Sequence, residues 1–477
     1  MQADDPSTAD AASTDRRRHR PRPWKRAAAW LALLGPLFYL SYGLANWWAG
    51  TRAQVPSVVF DWERGMPFWA WTIFPYWSIN AFYALSLFLG RTRHLVDRHA
   101  ARLLTAQLVA VSCFVLWPLH FSFGQPAVEG APAFLFNALR GLDQPYNQAP
   151  SLHIALAVIL WDWYRHLIAP RWGQWVLHLW TLAICGSVLT TYQHHFIDIP
   201  TGALLGLVCV WLWPLERTVS LPRAWRLARD PQRWKLAGFY AAGAGLCLAL
   251  ALGLDGAALW LAWPAAALGL VALNYLGFGA RGFGMGRDGR MRWSARWLFA
   301  PYRLGAWINA RLWTRRLPPS AEVAPGLRLG RVPTTAEWEA AGRPRLVGLC
   351  AELQLPALAA ASGRARCVPL LDLVLPSPAQ LRRAVLQVEA QRRAGGGRDT
   401  VWVCCALGFS RSAATVVGWL HAHGGEADAL AAEARVRSAR PQIVLKPAWR
   451  ALLASPAGGP AAALSSTPGN EKERATA

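Results

Sequence analysis

The run Val401-Trp402-Val403-Cys404-Cys405-Ala406-Leu407-Gly408-Phe409-Ser410-Arg411-Ser412 has the layout of a loop built around a phosphate dianion. An apolar β-type stretch ends in a cysteine, an arginine and a hydroxyl residue follow six and seven positions later, and a helix-period segment begins at Ala413. Backbone N–H groups of such a loop and the helix N-terminus point at phosphate oxygens, and the Arg411 fork takes two of them. The same positive field favours thiolate over thiol, which makes Cys405 a nucleophile. Gly408 and Ser410 lie inside the cradle as binding positions, and Cys404, one strand position earlier, points to the opposite face. The leaving oxygen needs a proton, and Asp372, 33 residues before Cys405 at the end of the apolar run Val368 to Leu371, is the candidate acid.

A second constellation lies in the apolar half of the chain: Asn147-Gln148-Ala149-Pro150-Ser151-Leu152-His153 and Thr190-Thr191-Tyr192-Gln193-His194-His195-Phe196-Ile197-Asp198. The 41 positions from His153 to His194 equal two membrane crossings and a turn, so both histidines belong to one end of a helical hairpin. Asp198 is one helical turn from His194 and is placed to orient its imidazole. His195, three residues from Asp198, is an alternative to His194. Two histidines and a carboxylate suit phosphoryl transfer through a phosphohistidine, with one ring attacking and the other protonating the leaving alkoxide. Ser151 and Arg140 are candidate substrate contacts. Neither site calls for a metal or a cofactor.

The elements that position these residues follow from composition. The chain has 477 residues, 54% hydrophobic and 16% charged, with 28 Trp, which points to bilayer spans. Apolar runs at 27–46, 68–90, 103–121, 152–168, 173–192, 196–215, 236–254 and 257–278 predict about eight transmembrane helices. The net charge of +23 resides in short clusters between these runs rather than in a continuous stripe, which argues against nucleic acid and for cytoplasmic loops facing anionic lipid. The Lys and Arg distribution predicts an inner (plasma) membrane protein with both termini inside and the histidine site on the external face. Asp162, within the fourth run, reads as a buried, paired carboxylate without a partner named by the sequence. Cysteines follow no disulfide framework, which fits a reduced C-terminal domain.

The expected organisation is a basic tail over 1–26, a membrane bundle over 27–278, a basic aromatic juxtamembrane segment over 279–317, a soluble domain over 318–455 and a low-complexity tail over 456–477. Strands at Leu327 to Gly330, Leu346 to Leu349, Val368 to Leu371 and Val401 to Cys404 alternate with helices at Pro378 to Arg393 and Glu426 to Arg437. The fold class is therefore an all-α polytopic membrane bundle followed by a soluble α/β domain.

The Cys405-to-Ser412 segment resembles the Cys-x5-Arg-Ser loop of the dual-specificity branch of protein tyrosine phosphatases, and the likeness covers about 320–455. It implies a cysteinyl-phosphate mechanism on phosphoprotein or phospholipid monoesters, with Asp372 as acid, Arg411 as phosphate clamp and Ser412 assisting the departing thiolate. Gly330-Arg331-Val332-Pro333 and Arg440-Pro441 also match that family. Cys404 stands where the family has a histidine. The Pro150-Ser151-Leu152-His153 and His194-to-Asp198 motifs resemble the type 2 phosphatidic acid phosphatase superfamily, closest to its inositolphosphotransferase branch. That likeness implies His194 as nucleophile, Asp198 as its partner and His153 as general acid, acting on membrane lipids. Val188 stands where that superfamily has arginine, and its Lys-x6-Arg-Pro motif is not visible. A lipid phosphatase, a lipid phosphotransferase and a lipid sensor that regulates the soluble domain are all compatible with this half. Oligomeric state is not legible.

Overall fold

The structure is a computed structural model that describes residues 22–142, 144–216, 219–254 and 256–455. The tails expected before and after these bounds, and the centre of the expected Leu254-Asp255-Gly256 turn, lie outside the described residues. The chain divides into two compact units, Met1–Arg223 and Ala224–Ala477. The division falls inside the expected 27–278 bundle.

The first unit is helical: α1 (Trp24–Gly50), α2 (Ile73–Phe88), α3 (Arg93–Leu116), α4 (Ala131–Leu142), α5 (Leu152–Arg165), α6 (Arg171–Thr190) and α7 (Asp198–Leu212). Each of the first six expected apolar runs coincides with a helix, while α4 was not foreseen. Of all the described helices, four are long and apolar enough to cross a membrane: α1, α3, and in the second unit Pro231–Leu254 and Gly256–Phe283. Helices α2, α5 and α7 are shorter, at 16, 14 and 15 residues, and eight spans do not emerge.

Three features hold α5 in place. At its start, Ser151 is the N-cap, its Oγ accepting from the N–H of Ile154 at 3.3 Å. Along its flank, Gly202 and Gly206 of α7 form a small-x-x-x-small stripe: a Cβ on Gly202 would lie 2.4 Å from the Ser151 carbonyl oxygen, and one on Gly206 would lie 2.7 Å from Cβ of Val158. At the far end of α5, buried Asp162 finds the partners that the sequence left unnamed, Arg102 at 2.9 Å and Arg165 at 2.7 Å.

The second unit begins with two apolar helices, α8 (Pro231–Leu254) and α9 (Ala262–Leu273), the latter continuing through a π-turn at Asn274–Phe278. A short helix at Trp293–Leu298 and the basic, aromatic α10 (Ala300–Thr314) lead into a five-stranded sheet. Its strands are β1 (Ser320–Ala324), β2 (Leu327–Arg331), β3 (Arg345–Cys350), β4 (Ala365–Leu370) and β5 (Val401–Cys405), in the order β1-β2-β5-β3-β4. Only the β1–β2 pair is antiparallel. The central strand β5 is buried along its whole length, as a parallel strand covered on both faces should be. Leu329, Val347, Val403, Val388, Val416 and Leu420 share that core. Helices α11 (Pro378–Ala394), α12 (Arg411–His423), α13 (Ala429–Ala439) and α14 (Pro447–Ala454) complete the unit. Ser377 with Gln380 forms a capping box at α11, and Asp428 caps α13 through Leu430 and Ala431.

A carboxylate ties α14 to α13. Glu433 accepts from Arg450 at 2.8 Å and from Arg437 at 2.6 Å, and the Arg450 hydrogen bond, reinforced by Arg437, holds its pKa down from 4.5 to about 2. A depressed folded-state pKa gives stability that is complete above the ordinary glutamate range and lost as pH falls toward about 2. Glu433→Gln should therefore speed amide exchange in α14 by roughly three-fold or more at neutral pH. Hydrogen-exchange mass spectrometry of the full chain should find that difference from wild type shrinking as the pH is lowered.

Candidate active sites

Strand β5 delivers Cys405 to the carboxyl edge of the sheet, and α12 starts six residues later with Arg411 as its first residue. The reversal between them needs Gly408, whose φ is +76° and where a Cβ would lie 2.4 Å from the carbonyl carbon of Gly330. The N–H of Gly408 donates to Cys405 Sγ at 3.3 Å, and Ser412 Oγ lies 3.1 Å from the same sulfur. Both are donors to an anionic sulfur. Arg440 pins the loop from outside, donating to the Leu407 carbonyl at 3.3 Å with its guanidinium over the Phe409 ring. The Ser410 hydroxyl donates to the Val444 carbonyl at 2.7 Å, so a ligand contact from Ser410 would come from its backbone.

Arg411 is buried and surrounded by oxygen. Its two terminal nitrogens bind Glu352 as a fork at 3.0 and 2.6 Å, one also reaches the Leu370 carbonyl at 3.1 Å, and Asp372 Oδ1 lies 2.9 Å away. Burial alone would penalise the charge, but Asp372 and Glu352 outweigh it and raise the guanidinium pKa well above its ordinary value. Glu352 lies just past the end of β3 and Asp372 just past the end of β4, so three strand ends converge on one guanidinium. Asp372 keeps 41% of its side chain exposed, against 4% for Glu352, and is the carboxylate that can move. Cys404 is fully buried, and burial together with the neighbouring Cys405 pushes its thiol pKa well up, which leaves it a neutral strand residue. Both cysteines are free thiols. The structure places Ser412 beside Cys405 and Asp372 beside Arg411, and adds Glu352, which sequence reasoning missed.

Three tyrosines of the same unit back the Asp372 loop. Tyr275 Oη donates to the Asp372 carbonyl at 3.1 Å, Tyr240 stacks on Tyr275 with ring centroids 5.4 Å apart, and Tyr302 meets Tyr240 edge-on at 5.6 Å. Burial foremost pushes the Tyr302 hydroxyl pKa far up, so it stays protonated.

In the first unit the turn between α6 and α7 passes through Tyr192 at φ +55°, and the N–H groups of Gln193 and His194 both donate to the Val188 carbonyl at 3.1 Å. His194 Nδ1 lies 3.1 Å from Asp198 Oδ2, and its Nε2 lies 3.3 Å from Ser151 Oγ. His153, in the first turn of α5, stacks on Tyr76 with ring centroids 4.0 Å apart, and both it and His194 line a cavity of about 90 Å³. His195 is engaged elsewhere: Nδ1 meets buried Glu63 at 3.0 Å, and Nε2 accepts the Ser122 N–H at 3.1 Å. The choice between the two adjacent histidines thus falls to His194. A second cavity of about 220 Å³ joins His194 to Gln125, Asn147, Gln148, Gln193 and Arg140. Arg140 is held there by the Gln125 side-chain oxygen at 3.1 and 3.2 Å.

No protein-family model matches the chain, and no curated protein matches it. Among solved structures, human DUSP28 is 30% identical with a TM-score of 0.24 over 28% of this chain and 88% of that one. A mouse dual specificity phosphatase complexed with zinc tungstate is 28% identical with a TM-score of 0.25 over 28% and 82%. Tk-PTP in its active form is 24% identical with a TM-score of 0.25 over 28% and 92%. A small part of the chain is thus similar to dual-specificity and tyrosine phosphatases.

Proposed function

We propose that the protein is a membrane-anchored phosphatase that hydrolyses phosphomonoesters through a cysteinyl-phosphate at Cys405. The observation that carries this reading is the convergence of Cys405, Arg411 and Asp372, with the mobile carboxylate 2.9 Å from the phosphate-clamping guanidinium. A phosphate dianion entering the loop takes the place of the Asp372 carboxylate on Arg411, while Glu352 keeps the other edge of the fork fixed. Asp372, released from Arg411, takes up a proton from solvent; Cys405 Sγ then attacks phosphorus as the P–O ester bond breaks, and Asp372 gives that proton to the leaving oxygen. In the second half, Asp372 takes a proton from water, which attacks the S–P bond, releasing phosphate and the Cys405 thiolate. Ser412 Oγ receives that thiolate with a hydrogen bond. By the distribution of basic residues, this site faces the cytoplasm of a multi-pass inner-membrane protein.

We further infer that the first unit is a lipid phosphoryl-transfer site, because His153 and the carboxylate-oriented His194 share one cavity. His194 Nε2 takes the phosphoryl group, and His153 protonates the departing alkoxide. The neighbouring wall of Gln125, Asn147, Gln148 and Gln193 is richer in amides than in cations, which suits a hydroxyl-bearing acceptor and keeps transfer to an alcohol beside hydrolysis as a reading.

For the cysteine site, Cys405→Ser should abolish Cys-dependent release of phosphate from p-nitrophenyl phosphate by the purified full-length protein. Asp372→Asn should cost about 10²- to 10⁴-fold on an alkyl phosphate, whose leaving group needs the proton. Undiminished turnover in either variant would remove that residue from the mechanism. Gly408→Ala forces a side chain into the Gly330 backbone and should lower kcat/KM by at least about ten-fold, a loss of 1.4 kcal/mol in transition-state stabilisation. For the histidine site, a radiolabelled phosphoryl group from a lipid phosphate should be trapped on wild-type protein at acid-labile histidine and be absent from His194→Ala. Label retained in that variant points away from His194.

A further inference from the structure

The catalytic loop of the second unit lies along the flank of an apolar hairpin rather than beyond its tip. Tyr240, stacked on the Tyr275 that holds Asp372, is nine residues into α8, which is about 14 Å along the helix from Pro231. If α8 and α9 cross a membrane, Asp372 is at the depth of the interface. The unit exposes apolar side chains. Leu373, next to the acid and held at φ +57°, is 63% exposed, and α10 exposes Leu304, Trp307, Leu312 and Trp313. Tryptophan and leucine interleaved with arginine on one short helix suit the headgroup boundary.

A cavity of about 360 Å³ runs from this helix to the phosphate loop. Ala406, the residue after Cys405, is part of its lining together with Arg303, Leu304 and Trp307. Two guanidinium groups face it, and they differ. Arg311 is paired with Glu337, with both carboxylate oxygens within 3.1 Å, and Glu337 also pairs with Arg331. Arg303 has no carboxylate in ion-pair range among the described residues; Nη1 donates to the Arg296 carbonyl at 3.3 Å, and its buried Nε has no partner. Burial opposes its charge and neighbouring Arg296 adds to that, so its pKa is lowered from 12.5. A half-buried cation with an unsatisfied donor, in the wall of a cavity beside a phosphate loop, is a site for a second anion.

We propose that the substrate of the Cys405 site is a membrane lipid whose head group carries a phosphodiester as well as the phosphomonoester to be cleaved, and that Arg303 binds the phosphodiester. The acyl chains stay in the leaflet beside Leu304 and Trp307, and the head group lies along the cavity with its monoester over Cys405. This rests on the cysteine-phosphatase reading above. A water-soluble head group would meet the same two cationic points but would leave the apolar rim unused, and a phosphopeptide has no fixed second anion for Arg303.

The test uses full-length protein in phosphatidylcholine nanodiscs, counting only turnover that Cys405→Ser removes. Four substrates are compared: a phosphatidylinositol monophosphate, phosphatidic acid, the deacylated glycerophosphoinositol phosphate, and a phosphotyrosyl peptide. The expected result is a kcat/KM for the two-phosphate lipid at least about ten-fold above each of the others. Arg303→Gln should collapse the preference over phosphatidic acid by about ten-fold, and Arg303→Lys should recover part of it. A structural role for Arg303 would lower both lipids together and leave their ratio intact, which overturns the assignment of Arg303. Equal or better use of phosphatidic acid, the deacylated head group or the peptide by wild-type protein overturns the substrate class, whether or not the variants fold. Absence of Cys405-dependent turnover of every substrate, p-nitrophenyl phosphate included, sinks the phosphatase reading itself.

Discussion

A buried guanidinium must be matched by anions, and the C-terminal unit is arranged around that requirement at Arg411. Left alone in a protein interior, a charge of this kind is prohibitively costly, and removal of one partner from a buried pair is destabilising by about 3–5 kcal/mol. Arg411 is matched by Glu352 from the end of β3 and Asp372 from the end of β4, with a carbonyl from Leu370. Because β5 lies between β2 and β3, the loop after Cys405 is flanked by the strand that supplies Glu352 on one side and by Gly330 of β2 on the other. The two carboxylates are not equivalent. Glu352 is buried and fork-bound, which fixes the guanidinium plane, whereas Asp372 is exposed enough to leave when a phosphate arrives. One ion cluster therefore both stabilises the loop and presents a half-exposed carboxylate at its rim.

The first unit solves a different problem, which is to hold imidazoles at fixed positions among apolar helices. Close approach of α7 to α5 through Gly202 and Gly206 brings Asp198 beside Ser151, whose N–H donates to the Asp198 carbonyl at 3.2 Å. The histidine turn is then over-determined: Val188 accepts from two consecutive N–H groups, Asp198 takes His194, and Glu63 takes His195. Pairing each histidine with its own carboxylate leaves one ring lining the cavities and locks the other into the wall.

Local features were legible in the sequence and long-range ones were not. The loop from Cys405 to Ser412 was readable because its function needs consecutive residues, and four of the five strands were readable from short apolar runs. Strand β1 escaped because Ser320–Ala324 is a polar edge strand whose apolar content is too low to signal. Glu352 escaped because its role depends on strand order, which places residues 59 apart on one ion pair. Arg102, the distant partner of Asp162, and Glu63, the partner of His195, are 60 and 132 residues away, so no spacing rule could name them, whereas Arg165 lies one helical turn from Asp162 and was open to such a rule. Two candidates for Asp198 at helical spacing, His194 at four residues and His195 at three, were separated only by tertiary contacts. The apolar runs located helices well but overstated their reach, since α5 stops at Arg165 rather than 168 and α7 gives up its first residues to the histidine turn.

The coupling between the apolar hairpin and the catalytic loop of the second unit follows from how Asp372 is held. Its side chain is free to leave Arg411, but its backbone carbonyl is tethered to Tyr275, and Tyr275 is stacked on Tyr240. The acid can therefore rotate without its loop drifting, and the position of that loop is set by two aromatic rings on α8 and the turn after α9. Leu373, in a left-handed conformation that a leucine rarely adopts, is the price of turning the chain sharply at this point. The turn exposes an apolar side chain beside the catalytic acid, a costly choice in water and a favourable one against hydrocarbon.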